Sequence, residues 1–202
     1  SFNGGTLEIK NGGLLDINAQ ATSGGHLLVN SGGTFRKTNT LLLGFASVKV
    51  LPGGLLTHGA NGSTRSSVLN LNVTGNFDLQ AGATIAVAGV GYAGGTDYQI
   101  PGKGPGGGGA SAGGDGAGGG HGGAGGLGSA GATGGLANDN ATNPTDLGSG
   151  GGGGFSNAVG GSGGGAVLIN VAGTFSLNGT INASGANGGR GGLAHGAGGG
   201  AG

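Results

Sequence analysis

The first ninety residues alternate apolar and polar positions in short bursts, each opened by glycine. The unit is glycine, any residue, Leu or Phe, any residue, an aliphatic residue. It appears as GTLEI (5–9), GLLDI (13–17), GHLLV (25–29) and GNFDL (75–79). Alternation with period two is the signature of a strand with one face buried, and the glycines mark turns. The bursts also repeat at long range. Gly13, Gly33, Gly54 and Gly75 are 20, 21 and 21 residues apart. Two positions beyond each stands a large apolar residue: Leu15, Phe35, Leu56 and Phe77. The next position is polar throughout: Asp16, Arg36, Thr57 and Asp78. Two further columns behave alike. Leu7, Leu27, Val48 and Leu69 form one, and Ile9, Val29, Val50 and Leu71 form the other.

Columns at this spacing have a simple physical source. If each period is one coil, equivalent residues stack about 4.8 Å apart through hydrogen bonds between strands. Apolar columns then line the interior and polar columns face water. The pattern predicts an all-β fold, a parallel β-helix (solenoid) of about 20–21 residues per rung, each rung touching only its neighbours. Lys37 and His58 fall at positions where Ile17 and Leu79 predict an inward residue. The expectation there is a bend, with the polar tip reaching solvent. The third side of the coil gives no columns. Asp16 and Asp78 share one outward column, three rungs apart, and Arg36 stacks beside Asp16.

The unit returns near the end of the chain. Residues 166–185 match residues 68–89 with a two-residue deletion, and Gly173 aligns with Gly75, 98 residues earlier. Val167, Ile169 and Phe175 extend the apolar columns, and Ser176 extends the polar one. A 21-residue rung leaves about 77 residues inserted between two stacked coils. The predicted organisation is rungs over 1–89, a glycine-rich insertion over 90–165, a further rung over 166–185 and a second glycine-rich segment from 186 to 202.

Composition decides how that insertion is read. Of 202 residues 62 are glycine, against an ordinary usage of about 7%. Glycine recurs at Gly113, Gly116, Gly119, Gly122, Gly125, Gly128, Gly131 and Gly134, eight triplets without a break. A flexible tether has no need of this phase. An extended helix with three residues per turn does, because every third residue then faces one side as bare backbone. With only four prolines a collagen-type triple helix is excluded, and the sequence predicts a polyglycine II-type helix bundle. Run straight, the eight triplets would span roughly 70 Å. Gly148, Gly151, Gly154, Gly160 and Gly163 continue the pattern, and residues 137–146 supply the turn.

Charge and candidate chemistry add mostly exclusions. Charged residues are 7% and the formal net charge is zero, so no overall field draws nucleic acid or an anionic membrane. There is no cysteine for disulfides or thiolate metal sites. Apolar runs such as residues 41–43 are too short to span a bilayer. The chain starts at Ser1 rather than Met and reads as a segment of something longer. A hydrolytic β-helix needs two or three carboxylates gathered in a groove. Glu8, Asp16, Asp78, Asp97, Asp115, Asp139 and Asp146 are scattered, so the reading is non-enzymatic, with no cofactor. The histidines, His26, His58, His121 and His195, are scattered too. Asp139, Asn140, Asn143 and Asp146 are the one set with calcium-like chemistry, and no metal site is assigned. Five N-x-S/T sequons occur, at Asn61, Asn72, Asn140, Asn178 and Asn182. Tyr92, Tyr98 and Phe155 flank the insertion, as packing anchors or as stacking surfaces for sugar.

The segment GGSGGGAVLINVAGTFSLNGTINASGANGGRGG (160–192) resembles large bacterial secreted or surface proteins that join β-helical rungs to glycine-rich tracts. The rungs resemble those of filamentous-haemagglutinin-type and autotransporter-passenger adhesins. The run GGHGGAGGLG resembles mycobacterial glycine-rich repeat proteins and the polyglycine II bundles of some phage-tail adhesins and snow-flea antifreeze proteins. The resemblance implies an extracellular or cell-surface role, structural or adhesive, and supplies no site residues. Two functions follow as expectations. In the first, copies stack end to end into a filament, the partner being the chain itself. In the second, the glycine bundle is presented to glycans or cells. An ice-binding face would need a regular threonine ladder, which the columns lack.

Overall fold

A computed structural model describes residues 4–18, 24–192 and 195–202. Residues 1–3, where the first coil is expected to begin, lie outside that set. The described chain contains strands and no helix. It divides into two units. The first comprises residues 1–59, 67–86 and 167–182, and the second comprises 60–66, 87–166 and 183–202.

The first unit is built in five levels. The lowest holds β1 (Thr6–Ile9) and β2 (Leu14–Ile17). The second holds β3 (His26–Val29), β4 (Thr34–Lys37) and β5 (Leu43–Phe45). The third holds β6 (Ser47–Val50), β7 (Leu55–His58) and β8 (Leu69–Val73). The fourth holds β9 (Phe77–Leu79), β10 (Thr84–Ala86) and, after the glycine-rich excursion, β11 (Val167–Val171). The fifth holds β12 (Phe175–Leu177) and β13 (Thr180–Asn182). Three sheets result, with orders β1-β3-β6-β9-β12, β2-β4-β7-β10-β13 and β5-β8-β11, and every pairing is parallel.

The corner between the first two sheets shows why glycine opens each burst. Gly12, Gly32, Gly53 and Gly82 have φ of 72°, 71°, 79° and 83°. Each is the third residue of a four-residue turn closed by a hydrogen bond, such as Gly13 N to Lys10 O at 2.9 Å and Gly54 N to Leu51 O at 2.8 Å. A turn that needs positive φ at its third position selects glycine. The turns also stack: Gly12 N donates to Gly32 O, Gly32 N to Gly53 O and Gly53 N to Gly82 O. In the fifth level this corner shortens to Asn178 and Gly179, which accounts for the two-residue deletion.

The register corrects the sequence columns. Leu7, Leu27, Val48, Phe77 and Phe175 form one column, and Ile9, Val29, Val50, Leu79 and Leu177 another. Leu15, Phe35, Leu56, Ile85 and Ile181 form a third. Phe77 therefore does not follow Leu56, and Leu69 and Leu71 do not follow Val48 and Val50. Leu69 and Leu71 belong to the third sheet, where Leu71 lies between Leu43 and Ile169, and Leu69 meets Val167. The cause is an insertion. Residues 60–66 leave for the second unit, and with one further residue between β8 and β9 they put Val48 and Phe77 29 residues apart, not 21. A 21-residue step from Val48 lands on the neighbouring sheet, whose alternation looks the same. For the same reason Asp16 and Asp78 lie on different sheets: Asp16 pairs with Arg36, and Asp78 with Lys49 and Ser176.

The core is continuous. Leu27, Val29, Phe35, Val48, Val50, Leu56, Leu69, Leu71 and Phe77 are buried in it with Ile9. Leu7, Leu15, Ile17, Val167, Ile169 and Val171 pack against it at its margins. Burying one such side chain is worth about 1.5–3 kcal/mol. Lys37 and His58 correct a second expectation: both are buried, 0% and 2% exposed, and paired in register. No bend carries their tips to solvent, because the strand pleat continues and the polar groups are met inside. Lys37 Nζ donates to Asn39 O at 2.8 Å and to Asn39 Oδ1 at 2.5 Å. His58 Nδ1 lies 2.8 Å from Gly59 O.

The second unit is held by hydrogen bonds between extended glycine-rich passes. Residues 148–153 lie at its centre. Gly148 and Gly151 donate to Gly164 and Gly161; Gly150 and Gly153 donate to Lys103 and Ile100; Gly152 donates to Ala117. The carbonyls of Gly148 and Gly151 accept from Tyr92 and Gly95. Those of Gly150 and Gly153 accept from Gly108 and Ser111, and those of Ser149 and Gly152 from Ala201 and Gly198. Five of these neighbours are met twice, three residues apart, and the Ala117 pass once, so one pass bonds to six others. The eight triplets do not run straight. Gly118 N donates to Gly126 O and Gly125 N to Gly135 O, so the chain doubles back twice. One reversal passes through Ala130 and Gly131, with φ of 48° and 86°.

Candidate functional site

The sequence-derived residues are scaffold positions, and the structure sorts them by depth. In the column from Leu7 to Phe175 the three middle members are buried and the two ends are not. Phe77 and Leu79 are 0% exposed, while Phe175 and Leu177, stacked directly on them, are 44% and 49% exposed. Ile85 and Ile181 repeat the contrast, at 0% and 39%. At the opposite margin Leu7, Leu15 and Ile17 are only partly covered. β12 and β13 are edge strands at one end, and β1 and β2 are edge strands at the other. An edge strand presents backbone N–H and C=O groups able to pair with another chain. The surface so formed is two apolar ends rimmed by polar side chains.

The rim is ordered by stacking. Arg36 Nη2 lies 2.5 Å from Asp16 Oδ2, and Thr38 Oγ1 donates to Asp16 Oδ1. The Arg36 hydrogen bond holds the Asp16 carboxyl below the usual range. Asn30 Nδ2 donates to Glu8 Oε1 at 2.6 Å, and Lys49 sits 3.9 Å from Asp78. On the third sheet Asn170 Nδ2 donates to Asn72 Oδ1 at 2.8 Å, a like-on-like contact that parallel register favours. In the interior, burial pushes Lys37 down to about 8 and lowers His58, with the Lys37 charge adding to the latter. Asn39 Oδ1 also accepts from Leu41 N, while Asn39 Nδ2 is buried with no partner among the described residues.

The glycine triplets divide by what surrounds them. A Cβ on Gly116, Gly119, Gly125, Gly128 or Gly134 would lie within 3.0 Å of a backbone carbonyl oxygen, closer than real Cβ atoms come. Gly122 would meet Ala141 at 3.1 Å. Gly113 and Gly131 have open space, and Gly131 is glycine for its positive φ. Gly148, Gly151, Gly154, Gly160 and Gly163 are as tight as the first group. Strict phase alone did not reveal that Gly118, Gly120 and Gly135, on other phases, also face neighbouring backbone.

The turn at residues 137–146 is organised by Asp139. Its Oδ2 accepts from Thr145 N and Asp146 N, both at 2.7 Å, and lies 3.2 Å from His121 Nε2. These bonds, the Asp146 N–H foremost, lower Asp139 to about 2. Asn140 Oδ1 accepts from Thr142 N and Oγ1. The set singled out for calcium thus spends much of its oxygen on its own backbone. Among the described residues no three His, Cys, Asp or Glu side chains are grouped to hold a metal. Asp115, held low chiefly by Gly196 N–H, faces His195. His195 stacks edge-on to Phe155 and Phe155 to Tyr98, a chain of rings that spacing did not reveal. Tyr92 is buried, 3.3 Å from Asp146, and burial raises its hydroxyl. Among the sequons Asn61 is buried and bonded to Val90 O and Ser66 N, whereas Asn140, Asn178 and Asn182 are exposed. Among the described residues no helix is long and apolar enough to cross a membrane.

Searches of protein-family models, curated proteins and solved structures find no match to this chain.

Proposed function

We propose that this is a non-enzymatic extracellular structural protein whose copies stack through the ends of a parallel β-helix into a filament or surface fibre. The three parallel sheets, two of them present at all five levels and the third at the middle three, are the sides of the solenoid. The glycine-rich unit is a polyglycine II-type bundle, the reading favoured by its threefold pattern of hydrogen bonds.

The observation that carries the proposal is the exposure of Phe175, Leu177 and Ile181, in columns whose middle members are sealed. A large apolar face rimmed by polar groups is expected where another protein sits. The partner of matching chemistry is another copy, whose opposite end continues the same columns. Sedimentation velocity over a concentration series tests this. Species that lengthen with concentration support it, and a monomer at every concentration contradicts it.

A second reading has its own observation. Tyr98 is 43% exposed at the end of the ring chain through Phe155 to His195, a surface suited to stacking a sugar. In that reading the chain is an adhesin presenting the glycine-rich unit to glycans or cells. Glycan-array binding that is lost in Tyr98→Ala supports it, and an array without binding removes it.

A further inference from the structure

We infer that the two ends meet head to tail in one register, with β12 of one copy on β1 of the next and β13 on β2. This rests on the end-to-end reading above and fixes its polarity. Continuing each column past its exposed end brings Phe175 onto Leu7, Leu177 onto Ile9 and Ile181 onto Leu15. These are the pairings that the columns already order inside the molecule. Every meeting is apolar on apolar: Phe175, Leu177 and Ile181 are exposed, Leu7 and Leu15 are partly covered at the margin of the core, and Ile9 is buried just inside it.

The rim selects the polarity. In the same register Ser176 arrives at Glu8 and Asn182 at Asp16. Glu8 already accepts from Asn30, and Asp16 from Arg36, both on the second level. A carboxylate has about four lone-pair sites, so a hydroxyl or carboxamide from below adds a donor. Joining two β1–β2 ends would instead place the acidic rims of Glu8 and Asp16 against each other, and like charges directly opposite destabilise. Every strand pair in the unit is parallel, and head-to-tail stacking keeps it so, whereas a twofold junction of identical ends makes the new pairs antiparallel. The interface is heterologous and does not close on itself, which generates an open fibre.

Cysteine cross-linking tests the register, because the chain has no cysteine of its own. Stacked partners lie about 4.8 Å apart, within the Cα separation of about 4.4–6.8 Å that a disulfide spans. Mixing Ser176→Cys with Glu8→Cys under oxidation is expected to yield a covalent heterodimer. Ser176→Cys mixed with Thr6→Cys, two positions out of register, is expected to yield none. A Ser176→Cys homodimer in place of the heterodimer overturns the polarity. Oligomers in sedimentation without the heterodimer overturn this register and leave end-to-end stacking standing. Neither oligomers nor cross-link overturns both.

Discussion

Phe175 lies on Phe77, with ring centroids 5.1 Å apart, yet the two residues are separated by the whole glycine-rich excursion. One is fully buried and the other nearly half exposed. The same side chain in the same column therefore does two jobs. Phe77→Ala should cost about 3–5 kcal/mol, as a cavity in a sealed core, whereas Phe175→Ala should cost about 1 kcal/mol in a dilute monomer. Urea midpoints at low concentration check the difference. If assembly uses this end, Phe175→Ala should weaken it more than it weakens folding.

Lys37 and His58 form a buried pair whose titration runs against folding. Lys37 falls from 10.5 to about 8, so the folded chain binds fewer protons than the unfolded chain between those values. Stability should therefore rise as pH rises from 8 to 10.5, by about 3 kcal/mol in all. His58 is also lowered from 6.5, so stability should fall as pH drops through 6.5. Chemical denaturation across pH measures both arms. Lys37→Met should be more stable than the parent near neutral pH and should lose the alkaline rise.

Gly125 and Gly123 make a matched pair. A Cβ at Gly125 would collide with the Gly118 carbonyl, while one at Gly123 meets nothing within 4 Å. Gly125→Ala should destabilise by about 1–3 kcal/mol. Gly123→Ala should be neutral or gain up to about 1 kcal/mol, by restricting the unfolded chain. Thermal unfolding of the two variants separates a packed glycine bundle from a tether, which would tolerate both.

Asp139 gathers the turn that joins two glycine passes. Its carboxyl drops from 3.8 to about 2, so the stability it supplies is present above 3.8 and lost as pH falls towards 2. Asp139→Asn should weaken the parent at about pH 6 and remove that acid-dependent part of the loss. Hydrogen exchange of the Thr145 and Asp146 amides reads the effect at the site.

Strand alternation and the glycine turns were legible because both are local. Leu15, Phe35 and Leu56 found their column through two intact 20- and 21-residue steps. Phe77 and Leu69 did not, because seven residues diverted to the second unit shift every later position onto the next sheet. Period-two strands on different sheets read alike, so only pairing distinguishes them. Lys37 departs from the expected exposure because its acceptors, Asn39 O and Oδ1, come from a local bend that periodicity does not encode. The threefold glycine phase was visible, but the reversals that fold it were not, since Ala130 and Gly131 carry no stronger turn signal than their neighbours. The open ends of the columns became visible only once burial separated Phe175 from Phe77.

The central claim is that copies continue one another's columns. Negative-stain electron microscopy of the purified chain tests it most directly. With five levels at about 4.8 Å each, the account expects unbranched filaments with an axial subunit repeat of about 24 Å. Discrete single particles at every concentration, with Phe175→Ala indistinguishable from the parent, would contradict it.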